Sequence, residues 1–129
     1  MMKTSASTVA PCYYKLASKL LSLDDSVVSA TIASPNGELL SVKCKPSVEE
    51  LKPSKELLDK AGPLVAVVSS LMRQAESFYG GCKYMIVAYG ILKVAVIPIK
   101  GKSIVVALGT TPEAPARKIS LEASKLAGL

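Results

Sequence analysis

The chain has 129 residues and a mass of 13.5 kDa, one ordinary domain in size, and is 50% apolar with mean hydropathy +0.37, which excludes a natively disordered chain. At this length roughly two-thirds of the unfolded surface can be buried, so neither a disulfide nor a metal is needed for folding. Sixteen basic residues stand against ten acidic ones, for a net charge of +6 and a pI near 9.3, a balance that favours acidic partners over basic ones.

Residues 1–10 are rich in Ser and Thr and are expected to be a flexible N-terminal segment, with residues 11–129 forming the single domain. A helix is predicted over 11–23. Pro11 suits a first helical turn. Tyr13, Leu16, Leu20 and Leu23 recur every three or four residues as one apolar stripe, with Lys15 and Lys19 on the wet side. Residues 27–34 are β-branched and read as a strand, followed by a turn at Asn36-Gly37. Residues 39–45 form the returning strand. Leu40, Val42 and Cys44 are expected on one face, with Ser41, Lys43 and Lys45 on the other. Lysines there defend a sheet edge.

A polar connection over 46–53, with a short helical turn at 48–51, leads to a helical stretch over 54–60 capped by Ser54. Gly62-Pro63 is expected to interrupt or restart that helix. The main helix is predicted over 64–78. Its apolar residues are Leu64, Val65, Ala66, Val67, Val68, Leu71, Met72, Ala75 and Phe78, an arc much wider than the ~100° that one core contact requires. Such a helix is buried on two sides, by its own sheet and by a second cover such as another copy of the chain.

Three strand-like runs follow, over 82–89, 91–99 and 103–109. Their links, Gly90 and then Lys100-Gly101-Lys102, are too short for helical crossovers, so the three strands form an antiparallel meander. They are nearly continuous in apolar residues, which implies a sheet covered on both faces. The last helix opens either with Thr110 and Glu113 in capping-box spacing or with Pro115 as first helical residue. Ala116, Ile119, Ala123 and Leu126 form its stripe, and Gly128 stops it. The predicted class is α+β, in the order α-β-β-α-β-β-β-α, with a five-stranded antiparallel sheet between helices.

Candidate chemistry is sparse. The chain has no histidine, hence no conventional triad, no histidine metal ligand and no ordinary base titrating near neutrality. Cys12, Cys44 and Cys82 form no CxxC pair and are read mainly as small buried apolar side chains. Cys12, near Lys15 and a helix N-terminus, is the best candidate for a reactive thiol. Gly80-Gly81 follows a helix rather than preceding one, so it is no phosphate cradle. No Walker motif and no dinucleotide fingerprint occurs. The five tyrosines are read as core or interface residues rather than a stacking platform. The 14 Lys and 2 Arg (Arg73, Arg117) are dispersed, which does not favour nucleic acid. Arg73 is singled out because Arg is enriched at interfaces. No run approaches the ~20 apolar residues of a membrane span, and residues 1–11 lack the apolar region of a signal peptide. A cytoplasmic protein is expected.

This order of elements resembles the roadblock family, named for a light chain of dynein and related to the longin domains. Three stretches carry the resemblance: VVSATIASPNGELLSV, the long apolar helix ending before Gly80, and VAVIPIKGKSIVVALG with Pro98 near a strand end. The resemblance implies a non-catalytic interaction module without cofactor or metal. It implies a homodimer, or a heterodimer with a roadblock-like paralogue, that regulates or scaffolds a Ras-like small GTPase. In the family the long helices pair and the third strands join edge to edge. Here that interface is expected at Val65, Val68, Met72, Arg73 and Ala75, with the edge strand Lys83, Tyr84, Met85, Ile86, Val87 and Ala88. The alternative is a monomeric profilin- or longin-like domain for cytoskeletal or trafficking partners.

Overall fold

A computed structural model describes residues 11–46 and 54–128. The expected N-terminal segment and the helical turn at 48–51 lie outside these residues. The elements are α1 (Pro11–Leu21), β1 (Val27–Ala33), β2 (Leu39–Cys44), α2 (Lys55–Gln74), α3 (Glu76–Tyr79), β3 (Met85–Ala88), β4 (Lys93–Ile99), β5 (Ile104–Thr110) and α4 (Ala116–Gly128). The strands form one sheet in the order β2-β1-β5-β4-β3, with every neighbouring pair antiparallel. Helices lie on both faces, as the continuous apolar strands required.

Side-chain alternation divides the sheet between two cores. Along β4, Ala95, Ile97 and Ile99 face α1 and α4, whereas Val94 and Val96 face α2. Along β5, Ile104, Val106 and Leu108 take the first face and Val105 the second. The first core is large. Ala17, Leu20 and Leu21 of α1 and Ile119, Ala123 and Ala127 of α4 close over it. The second is smaller: among the described residues Met72, Val96 and Val105 are its buried members, with Val65, Val68, Cys82, Met85 and Val94 packed around them.

The first hairpin turns as the sequence predicts. Gly37 takes φ +98°, and its N–H donates to Ser34 O. On β2 the expected faces are partly exchanged. Lys43 pairs opposite Ala30, and its ammonium reaches back to α1. Val42 and Cys44 pair opposite Thr31 and Ser29. A register shift beside Ala33 separates Leu40, which packs on the larger core, from the residues that follow. The third predicted strand shortens to Met85–Ala88, because pairing with β4 stops at Val96. Beyond that point β4 has β5 as its sole neighbour, which leaves an open side where Pro98 is tolerated. At the C-terminus Thr110 ends β5 rather than capping a helix. Pro115 directly precedes α4 and accepts from Ile119 N–H, and Gly128 is the helix's last residue rather than a stop beyond it.

Candidate interaction surface

The helix α2 is built from the N-cap inward. Ser54 Oγ accepts from Leu57 N–H at 3.0 Å, and Glu56 sits in the first turn, where negative charge meets the helix dipole. The pairs Lys55–Asp59 and Lys60–Glu56 are exposed and contribute little. Gly62-Pro63 does not break the helix, contrary to the sequence expectation. Pro63 sits inside it and forgoes one backbone hydrogen bond. Gly62 lies against the turn of the first hairpin, and a methyl group there would collide with the carbonyl oxygen of Gly37. The two backbones approach each other there with no room for a side chain on Gly62.

The rotation of α2 on the sheet decides which residues remain outside. Met72 is buried, and Val65 and Val68 pack beside it against Val96 and Val105. These three residues, expected at the interface with a mate, pack on their own sheet, with Val65 and Val68 half-buried there. Ala75 is half-buried at the helix end. The outward stripe is Leu64, Val67 and Leu71, which remain 53%, 58% and 58% exposed. At roughly 100° per residue, this stripe lies about a third of a turn from the sheet contact. Leu57 and Phe78 continue it at seven-residue spacing, and Tyr79 is exposed beside Phe78. The arc is thus doubly apolar, with one stripe on the sheet and the other turned outward. Residue size carried a signal that apolarity did not. Gly62 and Ser69 allow close approach on the inner side, and the larger leucines lie outside.

Arg73 is exposed on the flank away from Leu71. With Ser69, Glu76, Cys82 and Lys100 it lines a groove of about 180 Å³ between α2 and the β4–β5 turn. Ser69 Oγ is buried there without a hydrogen-bond partner among the described residues.

β3 is an edge of the sheet. Ile86 and Ala88 are exposed, Val87 is half-buried, and Met85 packs toward α2. Lys83 and Tyr84 precede the strand. Lys83 is exposed and Tyr84 packs on the larger core. Tyr89 and Ile91 are exposed just beyond the strand. The two edges differ in kind. β2 carries Lys43, whereas Met85–Ala88 carries no charge. An uncharged edge invites pairing with another strand.

Among the described residues no cluster of three or more His, Cys, Asp or Glu could hold a metal, and no helix is long and apolar enough to cross a membrane. The side chain of Cys12 lies outside the described part. Cys82 is half-buried, its Sγ 3.6 Å from Tyr84 O.

No family model and no curated protein sequence matches the chain. Solved structures do. The chain is similar to the Roadblock/LC7 domain from Streptomyces avermitilis, at 24% identity and TM-score 0.63, covering 88% of this chain and 89% of that one. It is similar to MglB in a structure with tetrameric arrangement, at 13% identity and TM-score 0.64, covering 88% and 83%. It is also similar to LokiProfilin1 in a complex with rabbit actin, at 17% identity and TM-score 0.53, covering 88% and 89%. The fold is therefore roadblock-like, an α+β sandwich of the roadblock and longin kind.

Proposed function

We propose that this chain is a dimeric, non-catalytic interaction module that binds, regulates or scaffolds a Ras-like small GTPase. One observation carries the dimer: the outward stripe of Leu64, Val67 and Leu71 is apolar over several turns of α2 and is left exposed by the described residues. A patch of this kind on a soluble domain marks an interaction site. The uncharged edge strand β3 supplies the second element, so that two copies pair their α2 helices and join their sheets through Met85, Ile86, Val87 and Ala88. The tetrameric arrangement of MglB supports self-association in this fold. The absence of histidine and of phosphate-cradling motifs supports a binding role, with the nucleotide held by the partner.

The first test is the molar mass in solution, by light scattering across a concentration series. A mass near twice 13.5 kDa supports the pairing. The GTPase part is tested by adding the dimer to GTP-loaded Ras-like GTPases from the same source. Neither binding nor altered hydrolysis with any of them would sink that part.

The likeness to a profilin in an actin complex favours a second reading, a monomeric domain for a cytoskeletal or trafficking partner. A mass that stays at one chain over the whole series would move the choice to it.

A further inference from the structure

The positive charge of this protein is unevenly placed. In the α2–α3 layer, Lys55, Lys60 and Arg73 are matched by Glu56, Asp59 and Glu76, so that layer is neutral. On the opposite face of the sheet, α1 and α4 lie together over the larger core. Their outward positions carry Lys15, Lys19, Arg117, Lys118 and Lys125, all exposed. Glu122 is the one carboxylate within these two helices. Lys43 and Lys45 of the adjoining β2 edge extend the basic side. Lys43 Nζ donates to Ser18 Oγ at 2.6 Å and Tyr14 OH at 3.1 Å, and it lies 4.2 Å from the centre of the Tyr14 ring. Lys45 Nζ donates to the carbonyls of Asp24 and Asp25. Those two acids stand at the end of α1, where Asp24 faces Lys45 and Lys118. Two exposed apolar side chains, Tyr14 and Leu121, sit among the lysines.

We propose that the α1/α4 face docks the protein peripherally on an anionic lipid bilayer. Lysines with their long stems reach headgroup phosphates from a broad helical face. A tyrosine and a leucine between them suit the boundary between headgroup and acyl chain. Nucleic acid fits less well. The face is lysine-rich rather than arginine-rich, and it carries one exposed aromatic ring where single-strand binders stack several. The docking face belongs to one protomer, and only its doubling rests on the proposed pairing. Antiparallel joining of two identical edge strands requires a two-fold axis perpendicular to the sheet, which keeps each face on its own side. The α2 helices then meet on one side, and both α1/α4 faces look the other way, toward a single membrane.

The test is cosedimentation of the full chain with phosphatidylserine-containing vesicles and with pure phosphatidylcholine vesicles, over a salt series. Binding is expected only to the anionic vesicles and weakens as salt rises. Lys15→Glu/Lys19→Glu and Arg117→Glu/Lys125→Glu are each expected to cost at least tenfold in partitioning, since each neutralised cation is worth on the order of fivefold. Lys55→Glu/Lys60→Glu on α2 leaves binding unchanged. An unaltered urea midpoint shows that the variants fold. Equal binding to neutral vesicles, indifference to these reversals, or tighter binding to duplex DNA or RNA than to the anionic vesicles overturns the proposal. A monomer that binds anionic vesicles keeps the docking face and removes the pairing. A dimer that does not bind them does the reverse.

Discussion

The two helical layers on this sheet solve different problems. The α1/α4 layer closes a large core beneath it and turns a charged surface outward. The α2 layer rests on a small apolar cluster around Met72, Val96 and Val105 and turns leucines outward. A layer that exists to complete its own domain puts its apolar residues inside and its charges outside. A helix that is apolar on both sides has a second face available for a partner. The comparison teaches that the charged and the apolar outer surfaces lie on opposite faces of one sheet, so each can be altered separately.

The strongest way to break this comparison uses two neighbours in β5. Val106 faces the large core and Val105 the small one, and both are buried. Val106→Ala is expected to cost about 2 kcal/mol and Val105→Ala about 1, because a site that can collapse leaves a smaller cavity. Urea unfolding of the two variants, compared at one protein concentration, measures the difference. Equal losses would mean that α2 is packed as tightly as α1 and α4. The next effect concerns what orients α2. Gly62→Ala gains helix propensity but drives a methyl group into Gly37. A net loss of about 1 to 2 kcal/mol is expected. A stabilised variant would show that the hairpin turn does not fix the helix.

Leu71→Asp separates association from folding. Leu71 is 58% exposed, so the stability of the single chain should change by less than about 0.5 kcal/mol. The dimer, by contrast, should dissociate to a mass of one chain in light scattering. Met72→Asp, one residue on, buries a charge and is expected to unfold the protein. If the Leu71→Asp variant remains a dimer, the outward stripe is not where two chains meet.

Much of this arrangement is legible in the residues. The meander follows from links too short to hold a crossover, and coverage of both sheet faces follows from strands without polar alternation. The facing of α2 is not legible in the same way. Val65, Val68 and Met72 on one side and Leu64, Val67 and Leu71 on the other are equally apolar. Hydrophobic period alone therefore cannot say which stripe meets the sheet. The backbone contact between Gly37 and Gly62 joins residues far apart in the chain, and it has no local signature beyond a glycine inside a helix. The run through Pro63 is a similar case. Tertiary packing of α2 outweighs the local preference to break. The basic face is hidden in the sequence for a different reason. Its lysines look dispersed along the chain and converge only when α1 and α4 lie side by side.

The smallest expected effect tests the charged layer from within. Asp24 accepts hydrogen bonds from the N–H and hydroxyl of Ser26 and faces Lys118 and Lys45. The Ser26 hydroxyl contributes most, and together these partners hold the carboxyl below its ordinary value of 3.8. A lowered folded value means that ionised Asp24 stabilises the fold above the ordinary carboxylate range. That contribution is lost as pH falls through the lowered value. Asp24→Asn should therefore be slightly less stable than the parent at neutral pH and indistinguishable from it in strong acid. Urea midpoints at both pH values measure this. The same substitution removes a negative charge from the side that carries Lys45 and Lys118. If that side is a docking face, anionic-vesicle binding should rise while stability falls. A fall in both would show that Asp24 shapes the surface rather than merely subtracting from its charge.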